Sequence, residues 1–414
     1  LSNYSNLVPR NQPTMTELPP RFTTDLEDSL NLRVPTDTMN DQHSTSSHST
    51  RRRWDDPPEE EPTSPPENTT TMVFVKKGSM RPTYYIEAEI MHLTFTPSDA
   101  HIAAAIPKAS NMRSFHPDGP FTMVVWSAKT GQRLNPPGPG SSGYGVRLGS
   151  GGFAIKPGVA DIIVACRFVH PVAVTAETYG GMMPRLEVYD WGRRERLVKQ
   201  DVAIRAPVAW SPDGEVLAGV SPREPSRIVV LQMAAKKVVR VRIGNVLMRH
   251  VDEVTQLAFL PAWEEGGRAL VSAGKDGYVR VTSVESGRTL KKIEIGTRAP
   301  ASILRVSPDG KLVVTVWGRD VVLWYLASGR VHNYNLDAVR QSEGWPLCVS
   351  PDCRYLAYRT EEGFDVCDVA TGKFRGEFAR TGNPITAAAF NSDGTLLAIG
   401  DYCGGLQMFE IVTP

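Results

Sequence analysis

The sequence has no run of 18 apolar residues, so nothing in it reads as a membrane-spanning helix. Its first 30 residues lack the apolar segment of a secretory leader. Cysteine is scarce: Cys166, Cys348, Cys353, Cys367 and Cys403 are scattered, and no two form a CxxC pair. That argues against a disulfide framework or a zinc ribbon and for thiols in a reducing compartment. A cytoplasmic or nuclear location is expected. The formal net charge is only +1, which gives no long-range attraction to nucleic acid. No Gly-x-Ser-x-Gly elbow and no Gly-x4-Gly-Lys-Ser/Thr loop occurs. The eight histidines do not cluster at metal-ligand spacing. No cofactor, no metal and no catalytic residue is expected.

Residues 1–71 are rich in Ser, Thr and Pro, as in "DQHSTSSHSTRRR" and "DDPPEEEPTSPPENTTT". Residues 1–70 hold 6 basic and 12 acidic side chains. Such a segment has too few large apolar groups to offset the entropy lost on ordering, so a disordered tail is expected there. Residues 72–414 are expected to form the folded domain.

From residue 72 the chain changes to short apolar runs separated by turns. One turn recurs as "WSPDG" at Trp210, "VSPDG" at Val306, "VSPDC" at Val349 and "FNSDG" at Phe390, with a degenerate "FTPSD" at Phe95. "FVHP" at Phe168 and "FLPA" at Phe259 fit by spacing. The separations of the seven anchors are 73, 42, 49, 47, 43 and 41 residues. Apart from the first, they match the ~40–45-residue period of a propeller blade. A second series runs in register, from "VVWSAKTG" at Val124 to "LQMFEIVTP" at Leu406. In each unit Pro presets φ and Gly supplies a positive φ, so the chain reverses between two strands. One four-stranded unit cannot bury both its faces, but neighbours stacked about an axis can. The expected fold is therefore all-β: a seven-bladed β-propeller of four-stranded antiparallel blades. The seventh unit lacks its own last strand, and an N-terminal strand, Tyr84–Ala88, is expected to complete it.

The unit around residues 250–295 carries a family likeness. His250, "VTQLAF", "LVSAGKDG" and "VRVTSVESG" resemble a WD-repeat (WD40-like) blade. The resemblance implies a hydrogen-bonded structural set of His250, Ser272 and Asp276. Thr282 stands where the family has Trp, and Trp126 and Trp324 hold that strand position in the first and fifth units. The chain thus resembles a diverged member of the family.

What the resemblance implies about function is a non-enzymatic scaffold presenting one propeller face to partner proteins or peptides, as a monomeric ring within a larger complex. Long loops on a rigid scaffold commonly carry function. Two are expected here, Pro107–Pro120 and Asn135–Ala160, and they supply Arg113, Phe115, His116, Tyr144 and Arg147 as candidate anchors. Trp317, read as a turn residue of the fifth unit, and Trp345, in the following connection, are further candidates, because aromatic residues and Arg dominate interface hot spots. Packing between blades is the competing reading of Trp317. The alternatives are an enzyme or small-ligand binder with a site in the central channel, and a phosphoinositide binder. For the latter, "EFARTG" at Glu377–Gly382 retains one Arg of a paired-Arg clamp.

Overall fold

The computed structural model describes residues 73–80, 89–107, 121–134, 146–148, 153–158, 162–169, 183–191, 193, 195–202, 204–234, 237–240, 249–261, 263, 267–337, 344–361, 363–374, 379–380 and 382–412. They fall within the unit Pro66–Pro414. The tail expected over residues 1–71 lies outside them.

The described chain is built of antiparallel strands, from β1 (Val73–Met80) onward. Sheet 1 holds β2 (His92–Phe95), β3 (His101–Pro107), β4 (Phe121–Ser127) and β5 (Arg133–Leu134), with β6 (Val146–Leu148) also paired to β4. Sheet 2 holds β7 (Phe153–Ile155), β8 (Ile162–Val169), β9 (Met183–Asp190) and β10 (Glu195–Asp201). Sheet 3 holds β11 (Arg205–Trp210), β12 (Val216–Val220), β13 (Ile228–Ala234) and β14 (Lys237–Arg240). Sheet 4 holds β15 (Val254–Phe259), β16 (Ala269–Gly274), β17 (Tyr278–Ser283) and β18 (Thr289–Glu294). Sheet 5 holds β19 (Ala301–Val306), β20 (Leu312–Trp317), β21 (Asp320–Tyr325) and β22 (Val331–Asn335). Sheet 6 holds β23 (Trp345–Val349), β24 (Tyr355–Arg359), β25 (Gly363–Asp368) and β26 (Ala379–Arg380). Sheet 7 holds β27 (Ile385–Phe390), β28 (Leu396–Asp401) and β29 (Leu406–Val412), and β1 pairs with β29 as its fourth strand.

An N-terminal strand does complete sheet 7, but it is Val73–Met80. Tyr84–Ala88 lies outside the described residues. "VFVKKGSM" breaks strict alternation at its Lys pair, and the β1–β29 register shifts between Lys76 and Gly78 to absorb the break. The Phe168 anchor is also displaced. Phe168 sits in β8, the second strand of sheet 2, and the first strand is the short β7. The expected loop Asn135–Ala160 therefore contains two strands, β6 and β7.

Second strands such as β12 and β16 are buried at every position. They read as continuous Val, Leu and Ala because both faces of the sheet are covered. Seven apolar layers do the covering. Met123 packs with Phe153 between sheets 1 and 2, and Leu186 with Leu217 between sheets 2 and 3. Val230 and Leu257 join sheets 3 and 4, Val281 and Trp324 sheets 4 and 5, and Val314 and Leu356 sheets 5 and 6. Phe364 meets Phe409 edge-on at 4.9 Å between sheets 6 and 7. The seventh layer, with Trp126, Ile90, Leu406 and Met408, joins sheet 7 to sheet 1.

The recurrent turn has one local design. Ser211 Oγ lies 2.5 Å from Asp213 Oδ1 and accepts the Val216 amide at 2.9 Å. Ser307 with Asp309 and Ser350 with Asp352 repeat both contacts. In sheet 7, Asn391 Oδ1 takes the serine's accepting role toward the Leu396 amide, at 2.8 Å. The fifth residue has φ of 67° at Gly214 and 61° at Cys353, which lies in the left-handed region without being glycine.

Candidate interaction surface

In an antiparallel four-stranded unit the first and third turns lie at one end and the second turn lies at the other, with the link to the next unit. Contacts between sheets fix a common polarity. Gln256 of β15 donates to the Ser302 carbonyl of β19 at 3.0 Å. Arg359, closing β24, donates to the Ile385 carbonyl that opens β27 at 3.0 Å. Arg268 joins the first turn of sheet 4 to Asp213 and Glu215 in the first turn of sheet 3. The Ser-Pro-Asp-Gly turns thus share one end, the turn end, and the second turns and inter-sheet links share the other, the loop end.

At the loop end of sheet 4 the family-type polar set is assembled. His250 is buried, with Nδ1 2.8 Å from Asp276 Oδ1 and Nε2 2.8 Å from Ser272 Oγ. Asp276 also accepts the Val251 amide at 3.0 Å, the Tyr278 amide at 3.2 Å and Arg280 Nη2 at 2.8 Å. Burial alone would raise the Asp276 pKa. The bonds from His250 and the Val251 amide outweigh it and bring the carboxyl down to about 2. Gly274 is glycine because a Cβ there would come within 2.4 Å of His250 Nδ1. Thr282, in the Trp position, is buried opposite Leu270. The side-chain polar atoms of His250, Ser272 and Asp276 are bonded to one another and to neighbours within residues 250–280, and the His250 amide donates to the Ser226 carbonyl in the β12–β13 turn of sheet 3 at 2.9 Å.

Trp345 is different. It opens β23 and remains 46% exposed. The Arg319 guanidinium lies over its ring, 4.9 Å from the centroid. Arg319 is in turn ion-paired to Asp337, which accepts the hydroxyl of buried Tyr358 at 3.1 Å. Gly344 lets the chain emerge here, since a Cβ would strike the Arg359 carbonyl at 2.2 Å. Of the large apolar side chains exposed among the described residues, Met91, Val251 and Tyr402 share the loop end with Trp345. Trp345, Tyr402 and Met91 belong to three consecutive sheets, 6, 7 and 1. The backbone links the last two, with Ile90 N donating to the Asp401 carbonyl at 3.3 Å.

Trp317 does not belong to this surface. It is the last residue of β20, only 2% exposed, and sits in the layer between sheets 4 and 5. Its Nε1 donates to Thr315 Oγ1 at 2.9 Å, so its polar edge is satisfied internally. Arg113, Phe115, His116 and Tyr144 lie outside the described residues. Arg147 is placed in β6, opposite Thr122 of β4, and its side chain lies outside them. Tyr402, Met91 and the Arg319 platform were not among the sequence candidates.

Other chemistry is thinly represented. Burial pushes the Cys348 and Cys353 thiols up to about 12, so neither is a thiolate near neutral pH. Among the described residues no group of three or more His, Cys, Asp or Glu could hold a metal ion. No helix among them is long and apolar enough to cross a membrane. Of Glu377–Gly382, Ala379–Arg380 form the outer strand β26.

Three comparisons bear on this arrangement. The family model described as the anaphase-promoting complex subunit 4 WD40 domain matches residues 208–320, which include the His250 set. No curated protein sequence matches the chain. The solved β-propeller domain of Myceliophteria thermophila Cps50 (Swd1) is similar in structure, with a TM-score of 0.57 at 10% identity, covering 82% of this chain and 100% of that one. With its stacked antiparallel sheets the chain has a β-propeller fold, and over residues 208–320, where the His250 set lies, it is similar to a WD40 domain.

Proposed function

We propose that the chain is a non-enzymatic protein–protein interaction scaffold. Its seven sheets form a closed seven-bladed ring within residues 72–414. The loop end is the docking face. The observation that carries this reading is Trp345, half-exposed on an Arg319 platform that Asp337 holds in place, with Tyr402 and Met91 beyond it in the next two sheets. Rigid aromatic residues and Arg at a preorganised site are what protein interfaces use as anchors. Arg113, Phe115 and His116, in the Pro107–Pro120 segment between β3 and β4, are proposed as further anchors from the sequence alone. The matched family model describes a subunit of a multiprotein complex, which accords with a scaffold role. Partners are proteins or peptides met in the cytoplasm or nucleus.

Quantitative affinity capture tests the proposal. The wild type, Trp345→Ala/Tyr402→Ala and a turn-end control, Arg354→Ala, are compared. The wild type and the control should recover the same proteins, and the double variant should lose them. Identical recovery by all three would place the docking face elsewhere.

A further inference from the structure

Strand β22, with the sequence VHNYN, ends sheet 5 and has β21 as its hydrogen-bonded neighbour there. Four of its five residues are exposed. The strands at the outer ends of the other sheets carry a basic residue, such as Lys76, Arg133, Arg196, Lys237, Lys291 and Arg380. Charged side chains, Lys above all, are how edge strands avoid pairing with other chains. β22 contains no Lys, Arg, Asp or Glu.

Its backbone register shows what the edge offers. The Tyr325 amide donates to the Arg330 carbonyl, and the Leu336 amide to the Arg319 carbonyl. In an antiparallel pair, hydrogen-bonded positions alternate. His332 and Tyr334 therefore turn their backbone groups toward β21, and Val331 and Asn333 turn theirs outward. On one face the His332 and Tyr334 rings lie 6.0 Å apart, and on the other Val331 is 48% exposed.

We propose that β22 accepts an added antiparallel strand, an uncharged extended segment of a partner protein rich in β-branched or aromatic residues. Main-chain hydrogen bonds to Val331 and Asn333 would supply the affinity, and cross-strand contacts with Val331 and His332 the selectivity, while Tyr334, its hydroxyl bonded to the Val369 carbonyl at 2.9 Å, fixes the edge against sheet 6. A second copy of this chain is the poorer fit. Five residues span only about 17 Å, enough for a weak, transient contact with an extended peptide segment but short of the ~1,000 Å² that a stable dimer of folded copies needs. This surface lies on the rim and is independent of the Trp345 face.

The test uses the full chain and an acetylated, amidated Thr-Val-Thr-Val-Thr-Val peptide, with amide exchange read by NMR. Saturating peptide should slow exchange at Val331 and Asn333 by about tenfold or more. Asn333→Pro removes an outward N–H and leaves the β21 ladder intact, so it should abolish the protection. Asn333→Lys, which restores an edge charge on an unaltered backbone, should weaken it. Lys292→Pro, at an outward position of β18, should change nothing at β22. Absence of protection, or equal protection in Asn333→Pro, would overturn the proposal. So would concentration-dependent dimerisation without peptide that Asn333→Lys abolishes, since it would assign the edge to a second copy.

Discussion

Asp99 and Ser392 stand 293 positions apart in the chain and are joined by two hydrogen bonds, the Ser392 amide and hydroxyl donating to the Asp99 carboxylate at 2.9 and 2.6 Å. The first turn of sheet 1 is thereby tied to the first turn of sheet 7, directly below the apolar layer that joins them. Asp99 has φ of 55°, a conformation that Asp adopts more readily than most residues. Asp99→Ala should lower unfolding stability by about 1–2 kcal/mol. A double-mutant cycle with Ser392→Ala, followed by urea denaturation, should return a coupling of about 1 kcal/mol. Additive effects would mean that the pair does not hold the two sheets together.

The Asp276 carboxylate should make the protein acid-sensitive. Its pKa is depressed in the folded chain, so its contribution is fully present above the unfolded value near 4. That contribution is lost as pH falls through the folded value of about 2. About 1–2 kcal/mol should disappear between pH 4 and 2, after allowance for solvent screening. Asp276→Asn should lose a similar amount at pH 7 and show a flatter stability profile across that window. An unchanged profile would mean that the His250 set is not the source.

Two glycines separate backbone strain from collision. Gly394 has φ of 76° and open space where a methyl group would sit, so Gly394→Ala should cost about 1 kcal/mol from conformation alone. Gly277 has φ of 78°, and a Cβ there would meet the Thr297 carbonyl oxygen at 2.7 Å. Gly277→Ala should cost about 2–3 kcal/mol. Equal shifts in denaturation midpoint would contradict the difference in surroundings.

The two tryptophan candidates should respond oppositely. Trp317→Ala empties part of the layer between sheets 4 and 5 and should destabilise by about 3–5 kcal/mol. Trp345→Ala removes a half-exposed ring and should change stability by less than about 1 kcal/mol. Thermal unfolding distinguishes them directly.

Much of this was legible in the sequence for a definable reason. The Ser-Pro-Asp-Gly turn needs a positive φ and a short side-chain hydrogen-bond network, so its residues are fixed and its period can be read. His250, Ser272 and Asp276 stood out because three matched positions point to one hydrogen-bonded set. Sheet 2 was harder. Its first strand is only Phe153–Ile155, too short to show alternation inside a Gly-rich stretch, while "FVHP" imitates a strand end. A Pro157-Gly158 pair, with Gly158 at φ of 113°, was the available signal for the true turn. The N-terminal strand of sheet 7, β1, was obscured by the Lys pair that its register shift accommodates. The Trp345–Arg319 stack could not be read at all, because it depends on how sheets 5 and 6 meet.

The most direct measurement is the affinity of one captured partner, purified, for wild type and Trp345→Ala by titration calorimetry, with melting temperature recorded alongside. A loop-end docking face predicts a Kd at least about tenfold weaker with a melting temperature within about 2 °C of wild type. An unchanged Kd for Trp345→Ala, with the fold intact, would contradict it.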